Sequence, residues 1–317
     1  MIFVDFLVGT YTKHNSLGIY RLSVANDQLG DAELVVKSSS PSYLARHEDL
    51  IFSTYSDSTM GGIRMFRQGK LIAESLSYGK GPSHISYSHA LKMVFTANYS
   101  KGELRTYLVK GDFLELHEVM PLGEKSHAHQ IFYHAKLNRV LVCDLGLDQI
   151  LLFKINRKRH LSLDLIVQLP TKSGPRHLVV CHKEHRIYCV AELSNQVFVY
   201  NYKNRYLYEP YSTISDEVAL DQQASAIRLY GDDLYVSNRG NENSIAHFKT
   251  TKDGLSYVNS YDTLGKHPRD FNLSPNGNYL VVGNLESDNL VLFRRLSNGA
   301  LEFLDQKDCL EPTAILF

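Results

Sequence analysis

One four-residue landmark returns seven times along the chain: Pro41-Ser42-Tyr43-Leu44, Pro82-Ser83-His84-Ile85, Ala128-His129-Gln130-Ile131, Pro175-Arg176-His177-Leu178, Ala224-Ser225-Ala226-Ile227, Pro268-Arg269-Asp270-Phe271 and Pro312-Thr313-Ala314-Ile315. The first and last copies are separated by six intervals, which gives a period of about 45 residues. A second landmark follows most copies: an apolar run, a small or polar kink and another strand, as in Tyr188-Cys189-Val190-Ala191-Glu192 and Leu234-Tyr235-Val236-Ser237-Asn238. Strand and turn alternating at this spacing is the signature of a four-stranded propeller blade, a unit that buries its apolar faces only by stacking on its neighbours.

The two ends of the chain complement each other. Nothing resembling the second landmark follows Pro312, whereas Phe6-Leu7-Val8-Gly9-Thr10-Tyr11 has its pattern and Gly18-Ile19-Tyr20-Arg21-Leu22 that of the strand after it. The expectation is an all-β, seven-bladed propeller over 1–317 as one domain, with six contiguous blades. The seventh is closed by pairing N- and C-terminal strands, which leaves no open sheet edge. A sandwich with a second domain is the competing architecture. Trp is absent, so no Trp-Asp dipeptide marks the blades.

Composition narrows the function. Lys plus Arg and Asp plus Glu both number 34, so no basic excess suits a phosphate backbone, and nucleic acid is not expected as a partner. The opening run Met1 to Leu7 carries Asp5 and no leading Lys or Arg, and nowhere do 18 apolar residues follow one another, which argues against a secretion signal or a membrane span. The four cysteines form no CxxC pair, as expected for a reducing cytoplasm. No phosphate loop, GxSxG elbow or HExxH is present.

Polar groups break the repeat at one place. The innermost strand of a propeller blade lines the central channel. At the second residue of the four-residue landmark, where other copies have small residues, the chain has His129, Arg176 and Arg269, groups that are costly to desolvate. Glu192 lies at the kink of the Arg176 blade and Arg239 at or beside the corresponding kink one blade on. These charges are expected to converge on one end of the channel, although Arg176 and Glu192 also suit a purely structural ion pair. His127 shares a strand face with His129 under simple alternation, so a two-His metal site is conceivable, but no third ligand has suitable spacing and no metal is expected. His84 and His177 sit one position later, on what alternation makes the opposite face, which places them between blades with a ligand role left open. The basic turn Asn156-Arg157-Lys158-Arg159-His160 reads as a solvated loop tip.

Taken together, Gly174-Pro175-Arg176-His177 with Tyr188 to Leu193, His127-Ala128-His129-Gln130 with Asp144-Leu145-Gly146, Pro268 to Asn272 with Ser274-Pro275-Asn276-Gly277, and Val8 to Thr12 resemble the seven-bladed propeller 6-phosphogluconolactonases, whose relatives include the fungal 3-carboxy-cis,cis-muconate lactonizing enzymes. The resemblance spans the whole chain. It implies a site of one His, two Arg and one Glu, falling on His129, Arg176, Arg239 and Glu192, and hydrolysis of 6-phospho-D-glucono-1,5-lactone in the pentose phosphate pathway, with no cofactor and a small sugar-phosphate lactone as partner. In the third blade His134-Ala135-Lys136-Leu137 replaces the usual Ser-Pro-Asp-Gly turn, so a different loop shape is expected there.

Within that scheme His129, with an ordinary pKa near 6.5, is the expected general base, a role worth roughly 100- to 10,000-fold. Glu192 orients Arg176 or the water. Arg176 and Arg239 donate to the oxyanion, and Arg269 clamps the phosphate, with His84, His127 and His177 as further substrate-binding candidates. Muconate-type cyclisation and a non-enzymatic metabolite- or peptide-binding propeller are the alternatives, and monomer and weak dimer both remain open.

Overall fold

A computed structural model describes residues 3–215 and 222–317; Met1 and Ile2, the head of the opening apolar run, lie outside the described residues. Seven antiparallel sheets contain all the strands among these residues, and no α-helix is present, only one 3₁₀ turn at Tyr99–Lys101. Each landmark copy lies at or just before the innermost strand of a blade. These strands are Leu44–His47, His84–Ser88, Ala128–His134, Pro175–Cys181, Gln223–Tyr230, Pro268–Leu273 and Pro312–Leu316, in blades 1 to 7. Successive inner strands touch, and the last touches the first, so the ring is closed.

Blade 7 is the joint. Its inner strand Pro312–Leu316 pairs with Phe3–Thr10, Val8 opposite Ile315 and Gly9 opposite Ala314, and Phe3–Thr10 pairs in turn with Gly18–Ala25. Blades 4 and 7 depart from four unbroken strands. In blade 4 the outer strand is split into Tyr206–Leu207 and Tyr211–Ser212, both paired to Gln196–Asn201, and Pro210 between them has no N–H for the ladder. The outer strand of blade 7 is split likewise into Gln28–Leu29 and Glu33–Lys37.

The core is distributed as seven apolar clusters, one at each junction between neighbouring blades. In blade 4, Ile187 and Cys189 face blade 3 while Tyr188 and Val190 face blade 5, so a strand buried on both sides reads as a continuous apolar run rather than a half-polar alternation. Side chains of the inner strands clasp the next blade. His84 Nδ1 lies 3.5 Å from the Ile131 N–H, Gln130 Oε1 accepts the Leu178 N–H at 2.7 Å and Asp270 Oδ2 accepts the Ile315 N–H at 2.9 Å. These acceptors occupy the same landmark position in blades 2, 3 and 6, and each satisfies a buried backbone donor one blade away.

At the channel end where inner strands begin, the turns after the second strands place Asp148, Asn195, Asn243 and Asp288 in the left-handed region, φ between 41° and 52°. Asp and Asn tolerate that conformation, and their side chains tie the loop to the entry of the next blade. Asp148 accepts from Gly174 N–H and Asn243 from His267 N–H, both at 2.8 Å, and Asp288 accepts from Glu311 N–H at 2.7 Å.

Candidate active site

Three site residues owe their direction to one device. In blade 3 Ala128 faces Asp144 and Gln130 faces Cys143, so His129 has no opposite number. Arg176 is skipped in the same way between Pro175 and His177, and Arg269 between Pro268 and Asp270. Each is the extra residue of a β-bulge, which bends the strand and re-aims the side chain. All three line one cavity of about 630 Å³ at the channel mouth, together with Glu192 and Arg239.

The bulge also corrects the reading of the next position. Simple alternation puts His84 and His177 on the face opposite His129 and Arg176; in blade 4 the added residue breaks that parity, whereas blade 2 has no register shift at His84. His177 lines the cavity, its ring 5.1 Å from that of His129, and Arg176 Nη1 lies 3.5 Å from His177 Nε2. His84 is buried one layer deeper, 5.9 Å from the His177 ring and 4.1 Å from the Tyr43 ring, while its Nδ1 holds the adjacent blade. The same irregularity removes the premise of a His127–His129 pair on one face. His127 stacks on Tyr99 at 4.5 Å with its Nδ1 3.1 Å from the Tyr99 carbonyl, outside the cavity lining. Among the described residues no group of three or more His, Cys, Asp or Glu is arranged to hold a metal ion.

Glu192 joins two guanidiniums from neighbouring blades. Its Oε2 lies 2.8 Å from Arg176 Nε and 2.9 Å from Arg239 Nη2. The Arg176 Nε–H is off the hydrogen-bond line, so that contact is an ion pair, and the Arg176 head is held instead by Nη1 donating to the Ser225 carbonyl at 2.8 Å. Arg239 donates to the Gln223 and Ala224 carbonyls at 3.2 and 3.1 Å. Both arginines are nearly fully buried, at 2% and 4% exposure. Burial first, then the cationic Arg239, pushes Arg176 down to about 9, still a cation at neutral pH.

This field acts on His129. Burial first, then the charges of Arg176, Arg269 and other neighbours, hold the imidazole well below the usual histidine range, and its Nδ1 has no hydrogen-bond partner. The expectation of an ordinary value near 6.5 is therefore corrected: the ring is neutral across the physiological range but a weak base. His177 is depressed for the same reasons, burial leading.

Tyr43, His177 and Asp270 also line the cavity; the His84 ring lies against Tyr43, and Arg228 pairs with Asp270 at 2.8 Å. Asp270 is raised by burial and Tyr43 is pushed up to about 12, burial again leading. Sequence reasoning names His84 and His177 as substrate-binding candidates but passes over Tyr43, Asp270 and Arg228 as site residues, and with them the aromatic wall of Tyr11, Tyr55 and Tyr99. A signal for part of it was present. The residue just after the second strand is Tyr11, Tyr99 and Glu192 in blades 7, 2 and 4, in blade 5 the second strand itself ends on Arg239, and all four line the cavity. The unusual turn His134-Ala135-Lys136-Leu137 follows the far end of the blade 3 inner strand, where His134 and His182 approach at 3.1 Å, and touches no part of this site.

Comparison with known proteins agrees with this architecture. The family model described as "Lactonase, 7-bladed beta-propeller" matches residues 5–317. A 6-phosphogluconolactonase of Bacillus subtilis is 31% identical over 91% of this chain and 90% of its own. A crystal structure from Lactobacillus plantarum superposes with a TM-score of 0.93 at 30% identity, covering 100% of this chain and 99% of that one. The periplasmic gluconolactonase of Pseudomonas aeruginosa gives a TM-score of 0.87 at 26% identity, covering 99% and 98%.

Proposed function

The chain belongs to the seven-bladed β-propeller lactonase family, and from that membership we propose that it hydrolyses 6-phospho-D-glucono-1,5-lactone to 6-phosphogluconate, as a cytoplasmic step of the pentose phosphate pathway. The observation that carries this reading is the pair of buried guanidiniums sharing one carboxylate oxygen beside a neutral imidazole, with Arg269 facing the same cavity. The name of the Bacillus subtilis relative supports the substrate. Four unpaired buried thiols suit a reducing compartment, and no helix among the described residues is long and apolar enough to cross a membrane.

In this mechanism the lactone carbonyl points at Arg176 and Arg239. Water attacks the carbonyl carbon, the developing oxyanion is stabilised by the two cations, and the ring oxygen leaves with the proton that His129 took from the water; the carboxyl group then releases its proton to solvent, giving a carboxylate and a hydroxyl group. Donors preorganised in a dry site are worth on the order of 3 kcal/mol each, so electrostatics is the larger contribution here. His129 accepts the proton of the attacking water. Its weak basicity is relieved when an anionic substrate offsets the surrounding guanidiniums, which raises the imidazole pKa as the reaction needs it. Glu192 keeps Arg176 and Arg239 together against their mutual repulsion. Arg269, over the Tyr11 ring at 5.0 Å, grips the phosphate.

The test is spectrophotometric. Purified protein is added to freshly generated 6-phosphogluconolactone and the spontaneous opening is subtracted; acceleration that survives a chelator is expected, and no acceleration over the blank overturns the assignment. His129→Ala is expected to lower kcat by roughly 100-fold or more with little change in KM. An unchanged kcat removes His129 from proton transfer.

A further inference from the structure

The cavity walls carry more positive charge than their carboxylates balance. Of the lining cations, Arg176 and Arg239 share Glu192, whereas Arg269, Lys13 and Lys80 have no carboxylate within 4 Å among the described residues. The remaining lining acids are engaged elsewhere: Asp270 with Arg228, and Asp57 with the Tyr55 hydroxyl and the Thr59 and Met60 N–H groups. Lys13 and Arg269 both lie over the ring of Tyr11, at 4.4 and 5.0 Å from its centroid. Lys13 comes from the loop joining Phe3–Thr10 to Gly18–Ala25 within blade 7 and Lys80 from the loop entering blade 2; both are exposed, and both line the cavity that Arg176 also lines.

The loop carrying Lys13 is fixed. Glu311, only 4% exposed, accepts the Lys13 N–H at 2.8 Å and the His14 N–H at 3.0 Å, with the Ser16 N–H at 3.3 Å, and its own carbonyl accepts the Tyr11 N–H at 3.2 Å. A buried carboxylate with no cationic partner among the described residues, satisfied by backbone donors alone, organises this segment and holds Tyr11, Thr12 and Lys13 against the cavity.

We propose that Lys13 and Lys80, with Arg269, form a second anion subsite at the mouth of the cavity, separate from the Arg176–Arg239 pair, which selects lactones carrying an anionic group at the end remote from the carbonyl. Glu311 is the positioning residue for this subsite. The inference rests on the lactonase reading and adds where specificity is set: the carbonyl goes to the deep arginines and the distal phosphate stays at the rim.

The reaction products, which do not open spontaneously, give the test. Calorimetric titration with 6-phosphogluconate and with gluconate is compared across the parent protein, Lys13→Ala, Lys80→Ala, Glu311→Gln and Lys70→Ala, the last removing an exposed charge on the outer strand of blade 1. The parent is expected to prefer the phosphorylated acid. Lys13→Ala and Lys80→Ala should each weaken 6-phosphogluconate about tenfold while leaving gluconate unchanged, the loss expected for one charged contact. Glu311→Gln should narrow the preference in the same direction, and Lys70→Ala should leave it alone. Equal binding of both acids by the parent, a preference that survives both cavity-lysine substitutions, or an equal loss in Lys70→Ala overturns the subsite. Because binding is read apart from turnover, a protein that discriminates the two acids without hydrolysing any lactone retains the subsite and loses the catalytic assignment.

Discussion

At His129, burial and cationic neighbours act in the same direction on one proton equilibrium. A depressed pKa means that the free protein keeps this imidazole unprotonated as pH falls through 6.5, where an ordinary histidine would be half charged. The acid limb of kcat/KM, which reports the free enzyme, is therefore expected well below 6.5. That of kcat, which reports the complex with its anion in place, is expected at higher pH. Rate profiles at constant ionic strength check this, and a half-loss of kcat/KM at 6.5 contradicts the environment described for His129. The same field is built by Arg239, so Arg239→Ala is expected to lower kcat by roughly 100- to 1,000-fold, the loss of one oxyanion donor.

The inner strand is the element that turns this repeat into a site. One extra residue against the second strand sends His129, Arg176 and Arg269 to the cavity, and the residue at the third position of the four-residue landmark reaches across to the next blade in blades 2, 3 and 6, in blade 2 without a bulge. In blade 2 that residue is His84, pushed down to about 3, mainly by burial and then by Arg228 and Arg176. The unfolded chain takes up this proton near 6.5 and the folded chain only near 3, so stability is lost as pH falls through that window. Blade 3 uses Gln130 for the same backbone contact, which makes His84→Gln a conservative exchange. That variant is expected to unfold with a weaker pH dependence between 6 and 4, shallower by about 1.4 kcal/mol per pH unit, as read from urea midpoints. Identical slopes for parent and variant would show that His84 titrates normally in the fold.

For the molecule as a whole, closure rests on one short strand. Pro312–Leu316 supplies the inner edge of blade 7, and Ile315 packs with Phe6, Val8 and the blade 6 residues Val281 and Leu292. Without it Phe3–Thr10 presents an unpaired edge, and the blade 6–7 junction loses part of its apolar cluster. Deleting residues 312–317 is expected to abolish the single cooperative urea transition of the parent; a truncated protein that unfolds in one transition at the same midpoint would show that the ring does not depend on this joint. The ring also explains how a chain of zero formal charge holds a cationic cavity: inner-strand and loop positions of several blades face one hollow, and the compensating acids lie elsewhere on the surface.

The sequence alone determined the number of blades, the shared seventh blade and the level of the site, because period, turn residues and apolar runs are local properties that any copy of the unit must satisfy. It also singled out His129, Arg176 and Arg269, which share one repeat position, and Glu192 and Arg239 at the kinks of two blades, because groups costly to desolvate are conspicuous in a repeat. Tertiary structure alone decided the direction of His177 and His127, since a bulge exists only relative to a partner strand and its added residue undoes the alternation by which faces are read. The weak basicity of His129 was likewise beyond the sequence, for the charges that cause it come from residues distant in the chain and act through burial that only the closed ring creates.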